Sequence, residues 1–382
     1  MKWQDELKNS IHKPEQLVEM NVIPERDLES IKEIHREFPF SITPYYANLI
    51  NWKNSKDPLL LSVLPSLEEL DRTGYHDVSG ESESTKEVGI QSKYPSTALI
   101  LPISACFSYC RYCFRKRLFN PDIKNEEIIK NFDYALDYIT EHKKLNNILI
   151  TGGDPLIIKT NQLQKFLLSI RELDHIKIIR FGSRVLSFLP SRILTDPSLL
   201  ELFKQISQTD KRIYIVNHFN HPNEITDTAR EAADALTKAG VILTNQSVML
   251  KNINDDESVL RTLFNNLAET GITPYYHFQC KFIKAANHFR TSLLETNEIF
   301  LNATKGLNGL AKRVKLIMTH FTGKIEILGV DSINGNKNIF FKYHQARNPD
   351  MIGNIYHFPI RHNAYWLDDI PEAEFLLKSD DK

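Results

Sequence analysis

Three of the four cysteines in the chain, Cys106, Cys110 and Cys113, fall within eight residues in the stretch CFSYCRYC. Thiols are soft metal ligands, and C-x3-C-x2-C puts three of them on one short segment. Structural zinc sites ordinarily take four ligands and favour paired C-x2-C knuckles, but no second knuckle follows; histidines could complete such a site. Three buried structural cysteines are another reading, against which the polar and aromatic neighbours argue. A [4Fe–4S] cluster held by three thiolates accounts for the spacing and leaves one iron without a protein ligand. A small molecule with an amine and a carboxylate can chelate that iron.

Such a segment needs a scaffold. From residue 97 onward the chain alternates short apolar runs (TALILPI, NILIT, IKIIRFG, RIYIVN, VILTN, ITPYYHF) with helix-like segments such as EEIIKNFDYALDYITEHKK and DTAREAADALTKAG. Six strand–helix alternations predict a parallel sheet buried on both faces. A doubly wound sheet and a partial or full barrel both fit this pattern. In a barrel the chemistry would sit on the loops after the strands. The polar motifs lie there: the cysteines follow the first run, TGGDP ends the second, HFNHPNE the fourth and NQS the fifth. Before residue 55, PEQLVEM and PERDLESIKEIHREF carry helical spacing behind a proline. Asp77 to Lys86, with Gly80 and several Ser and Glu, reads as a surface connection. Beyond Lys312, VKLIMTHFTGKIEILGV and NIFFKYHQA read as strands of a C-terminal extension.

Composition narrows the function. The 382 residues carry 47 Lys and Arg against 48 Asp and Glu, a net charge of −1. That balance argues against nucleic acid or an acidic membrane surface as partner. No apolar run reaches the ~18 residues of a membrane span. The N-terminus, MKWQDELKNS, is charged and has no apolar signal core. Three clustered cysteines plus a lone Cys280 make no disulfide framework, so a reducing cytoplasm is expected.

C-x3-C-x2-C with an aromatic, Tyr112, before the last cysteine resembles the radical S-adenosylmethionine (SAM) superfamily. There the open iron binds SAM, and one electron from the cluster cleaves it to a 5′-deoxyadenosyl radical. The chain is more narrowly similar to lysine 2,3-aminomutase and its relatives. The similarity runs through SITPYY (41–46), KYPSTALILPISACFSYCRYCFRKR (93–117), TGGDPL (151–156) and RFGSRVLSFLPSRI (180–193). It continues through NHFNHPNEIT (217–226), NQSVMLKNIND (245–255), YYHFQC (275–280) and NHFRT (287–291). The resemblance implies a partial (β/α)6 radical SAM barrel over 93–311, an N-terminal helical region over 1–92 and a C-terminal extension over 312–382.

It also implies roles. Gly152, Gly153 and Asp154 would form the glycine-rich edge that meets SAM's amino group. His218, Gln246, Ser183 and Arg184 match family residues near SAM. Arg115 matches the residue that forks onto the substrate's carboxylate, a task that suits a planar guanidinium. The lysine-specific members carry Asp directly after the QC of YxxQC, to hold the substrate's distant ammonium; here that residue is Lys281. Glutamate 2,3-aminomutase has Lys there, so the expected substrate is an acidic or neutral amino acid, not free lysine. The family's pyridoxal phosphate (PLP) lysine follows a glycine run, DAPGGGGK, which this chain lacks. THFTGK puts Lys324 in its place, with Thr319 or His320 near a second family Asp. Two arginines of the family's phosphate-binding set are matched by Lys93 and Thr97. The cysteine-rich C-terminal metal motif of some relatives is absent, so no second metal site is expected. The implied partners are a small amino-acid substrate and a reductant such as flavodoxin or ferredoxin, and a homo-oligomer is allowed. Two rival readings are a PLP-independent radical SAM enzyme and a non-catalytic iron–sulfur protein.

Overall fold

The computed structural model describes residues 2–120 and 127–377. Twelve strands form one sheet in chain order: β1 (Thr85–Glu87), β2 (Ile90–Tyr94), β3 (Thr97–Ile103), β4 (Asn147–Gly152), β5 (Ile178–Ser183), β6 (Arg212–Asn217), β7 (Ile242–Val248), β8 (Thr273–Phe278), β9 (Lys315–His320), β10 (Gly323–Ile333), β11 (Asn336–Ala346) and β12 (Ile355–Pro359). A doubly wound sheet reverses its strand order at a switch point. This order never reverses, so the partial barrel is the fold.

All six apolar runs form parallel strands, β3 to β8. The parallel set runs one strand further: β9 also pairs parallel to β8, and only then does the chain turn back antiparallel through β10, β11 and β12. KLIMTH, expected in the extension, thus continues the barrel wall. At the other end β1 and β2 add antiparallel, so the sheet begins before residue 93. Lys93 on β2 donates from Nζ to the carbonyl of His320 on β9 at 3.0 Å. In a flat sheet those strands would lie about 34 Å apart at about 4.8 Å per strand. The sheet therefore curls until β2 comes beside β9 across a lumen.

Helices α2 (Phe132–Glu141), α3 (Thr160–Arg171), α4 (Pro197–Ser207), α5 (Asp227–Lys238), α6 (Glu257–Glu269) and α7 (Leu293–Lys305) cross between successive parallel strands; α1 (Leu28–Glu37) belongs to the N-terminal region. Their boundaries follow from sequence. Thr226 caps α5 by accepting from the Ala229 N–H, and Asp256 caps α6 through Ser258 and Val259. Buried Leu260, Leu263, Phe264 and Leu267 recur at helical spacing and lay one face of α6 on the sheet. On β5, Ile179 and Phe181 are fully buried under helices, with Phe181 packed on Phe203 of α4 at 5.5 Å between ring centroids. Alternation then turns Arg180 to the lumen. Among the described residues no helix is long and apolar enough to cross a membrane.

Candidate active site

The cysteine loop leaves the end of β3 and is anchored from below. The Tyr109 N–H donates to the Ser41 carbonyl (3.2 Å), and the Arg111 N–H to that of Ser62 (2.9 Å). The fully buried Arg111 grips Glu69 bidentately, from Nε (2.8 Å) and Nη2 (2.7 Å), and reaches the Pro39 and Phe38 carbonyls. Lys116 also binds Glu69, at 2.5 Å, and the Ala285 carbonyl at 3.0 Å. Arg111 and Lys116 hold the Glu69 carboxyl down at about 2, although burial alone would raise it. The loop is thus bolted to the N-terminal region and to the loop after β8.

The three loop thiols are free and partly exposed, whereas Cys280 is buried elsewhere. Burial, and then Cys110, push the Cys113 thiol up to about 12; burial, and then Asp154, Cys113 and Cys110, push Cys106 well above its ordinary value. Metal ligation reverses that preference, because a coordinating thiol is deprotonated outright. Among the described residues, no three His, Cys, Asp or Glu side chains converge to hold a single ion. A cubane sets a different requirement, since each thiolate meets its own iron. The donor set, the proximity of the thiols and a cationic neighbour fit a [4Fe–4S] cluster. That neighbour is Arg184, whose Nη1 lies 2.8 Å from Cys110 Sγ and 2.8 Å from the Tyr112 hydroxyl.

The loop after β4 presses on the cysteine loop. Gly153 donates to the Ile103 carbonyl at 2.7 Å, and Asp154 to that of Ala105 at 2.9 Å. A Cβ on Gly153 would stand 2.2 Å from the Ala105 oxygen, so no larger residue fits. Gly152, at φ +103°, makes the turn. The Asp154 carboxylate accepts from Ser183 Oγ (2.8 and 3.0 Å), the Arg184 N–H (2.8 Å) and the Leu156 N–H (3.1 Å). It ties the ends of β4 and β5 together. Burial raises it to about 6, with those donors pulling the other way.

Arg184 is held in turn by Glu224, which also accepts from the Tyr46 hydroxyl at 2.9 Å. Asn220 donates to Tyr112 at 2.6 Å and lies 3.2 Å from His218 Nε2. Burial, and then Arg184, push His218 down to about 3, so it works as a neutral hydrogen-bonding ring. The Gln246 backbone on neighbouring β7 meets the same imidazole. Tyr112, Ser183, Arg184, His218 and Gln246 therefore come together beside the cysteines.

On the other side stand the cations. Arg115 donates to Glu81 (2.8 Å) and to Thr151 Oγ1 (2.8 Å), and its Nη2 pairs with Glu81 at 2.7 Å. Each of its three nitrogens has a protein partner, which leaves one N–H on each Nη to donate elsewhere. The half-buried Lys281 reaches Ser79 Oγ at 2.5 Å and lies 5.0 Å from the Phe114 ring centroid. Burial pushes its ammonium down to about 7; Lys93 and Arg115 add to this while Glu81 opposes it. Lys324, on β10, donates to Gln345 at 2.8 Å and sits 5.5 and 5.6 Å from the Tyr94 and Tyr276 ring centroids. Burial, Arg180 and Lys93 push it down to about 8.

The segment expected as a surface connection is corrected here. Glu81 is 6% exposed, and its carboxylate is shared between Arg115 and Arg117. Its polar composition hid a burial that long-range ion pairing makes tolerable. Glu69, Glu224 and Asn220 were likewise missed. The one local signal for Glu69 was the Ser66–Glu69 capping box, in which Glu69 accepts from the Ser66 N–H at 3.2 Å.

A profile described as the Radical SAM superfamily matches residues 100–263. A protein of Aquifex aeolicus, named provisionally as an L-lysine 2,3-aminomutase, is 43% identical over 94% of both chains. L-lysine 2,3-aminomutase of Methanococcus maripaludis is 38% identical over 80% of this chain and 70% of its own. Glutamate 2,3-aminomutase of Clostridioides difficile is 35% identical over 80% of this chain and 71% of its own. With identity at this level along most of its length, the chain belongs to the lysine 2,3-aminomutase family of radical SAM enzymes.

Proposed function

We propose that the enzyme moves an amino group from the α to the β carbon of an acidic or neutral amino acid, and not of free lysine. The observation that carries this reading is Lys281, with Lys93 and Arg115 in electrostatic reach and the Glu81 carboxylate beside it already taken up by Arg115 and Arg117. A substrate ammonium there would meet like charge, whereas a side-chain carboxylate gains a charge-assisted bond.

Cys106, Cys110 and Cys113 would hold the cluster; Gly152, Gly153, Ser183, His218 and Gln246 would line SAM, and Lys324 would carry PLP. When bound, cluster and SAM supply a radical that abstracts hydrogen, and PLP supplies a carrier for the migrating nitrogen. The chain's own part is placement. Asp154 fixes the loops after β4 and β5 relative to each other. Arg115, already clamped by Glu81 and Thr151, offers its charge to the substrate carboxylate without having to be ordered on binding. Lys324, drawn toward neutrality, loses its proton at modest cost and so can attack a carbonyl.

The test is β-amino-acid formation from a panel of amino acids by the anaerobically reconstituted, chemically reduced enzyme. Glutamate or a neutral amino acid should outpace free lysine, and Lys281→Asp should shift the preference toward lysine. Efficient turnover of free lysine by the wild type would end the specificity argument. Turnover without PLP would favour the PLP-independent reading, which the missing glycine run before Lys324 also supports. Cleavage of SAM should accompany either; a non-catalytic iron–sulfur protein would release no 5′-deoxyadenosine.

A further inference from the structure

Thr97 stands where relatives carry a phosphate-binding arginine, and its hydroxyl brings no charge. In the sheet Thr97 is the register partner of Asn147 on β4. Asn147 Oδ1 accepts a 2.9 Å hydrogen bond from Arg180 Nε on β5. Arg180 therefore leans across β4 toward the position that Thr97 leaves without a cation. Among the described residues, Nε is the only nitrogen of this guanidinium bonded to protein.

Facing it in the lumen are Lys324 and Tyr276. Tyr276 is 1% exposed, and its hydroxyl meets no acceptor in good geometry; its polar neighbour is the hydroxyl of Tyr275, which can itself turn to solvent. A buried hydroxyl left unpaired is costly and calls for a missing acceptor. The Tyr276 hydroxyl also lies within electrostatic reach of Arg180, and Lys324 within reach of both Arg180 and Lys93, with no carboxylate acting on Lys324. Two cations, Arg180 and Lys93, with the Tyr276 hydroxyl between them and the lysine proposed to carry PLP, suit a phosphate monoester dianion.

We propose that Arg180 supplies, from β5, the phosphate-binding charge that Thr97 cannot supply from β3, and that with Lys93 and the Tyr276 hydroxyl it receives the phosphate of PLP. This rests on the PLP reading above. It is a claim about affinity for the phosphate, separable from catalysis, because pyridoxal lacks the phosphate but keeps the aldehyde.

Equilibrium dialysis of the anaerobically reconstituted full chain against PLP and against pyridoxal tests it. Arg180→Gln should weaken PLP by about tenfold to a hundredfold, the range for one hydrogen bond to a charged group, and change pyridoxal by less than about twofold. Arg180→Lys should keep part of the PLP affinity. Thr97→Arg added to Arg180→Gln should restore most of it, which a merely damaged fold would not allow. Equal losses for PLP and pyridoxal, or no loss for either, would overturn the proposal while leaving PLP use intact. Failure of the wild type to take up PLP at all would remove the PLP reading and this proposal with it.

Discussion

Replacing Glu69 by Gln keeps the side chain's size and removes its charge. The carboxylate is fully buried between Arg111 and Lys116, so the variant leaves two desolvated cations facing each other. The displacement of the Glu69 carboxyl from 4.5 to about 2 corresponds to about 3 kcal/mol of folded-state preference for the charged form. Breaking a buried pair by neutralising one partner costs about 3–5 kcal/mol, which agrees. The folded-state value is depressed, so this stabilisation is fully present above about pH 4.5 and is lost as pH falls toward 2. Glu69→Gln should lower the Tm of the metal-free chain by about 4–6 °C at pH 7, and the gap from wild type should close as the pH falls below about 4.5. It should also lower iron per chain on reconstitution, because Arg111 and Lys116 flank Tyr112 and Cys113. Lys116→Met should be milder. Burial pushes that ammonium down to about 8, and Glu69 would keep its bidentate partner. Circular dichroism melts and iron assays of both variants decide the matter. A Glu69→Gln protein that melts within about 1 °C of wild type, or a Lys116→Met protein harmed more than it, would refute the reasoning.

Cys106→Ala, Cys110→Ala and Cys113→Ala should each abolish the cluster, while Cys280→Ala should retain about four iron and four sulfide per chain by chemical assay. For an acidic substrate, kcat/KM should fall as pH rises through about 7, where Lys281 loses its proton, and Lys281→Arg should remove that limb; the measurement is a pH–rate profile. Asp154→Ala removes the acceptor shared by Ser183, Arg184 and Leu156, so SAM binding measured by calorimetry should weaken about tenfold or more with the cluster retained.

The parallel strands were readable because burial on both faces writes itself as unbroken apolar runs. The place of β9 was not, because KLIMTH would read the same whether its neighbour ran parallel or antiparallel. The cysteines and TGGDP announced themselves through spacing and through backbone that only glycine permits. The charges behind them did not. Glu81 meets Arg115 across 34 residues and Glu69 meets Arg111 across 42, and nothing local separates such a glutamate from a solvated one. Arg180 was hidden similarly, since a cation in an apolar run gives no hint of which face it takes until the strand is paired.

The chain-order sheet has a consequence for biosynthesis. Strands emerging from the ribosome can each add beside the one before, so the wall grows in the direction of translation. The three thiols appear with β3, whereas Lys281 and Lys324 are about 170 and 210 residues behind them. At the rates of ribosomal elongation, about 5–20 residues per second, that interval is on the order of ten seconds or more. During it the cysteine loop already has Glu69 and the N-terminal region to hold it, but the far wall does not yet exist. The nascent barrel is therefore open on that side, giving iron-delivery machinery, or an oxidant, a wider route to the thiols that narrows when β9 and β10 arrive.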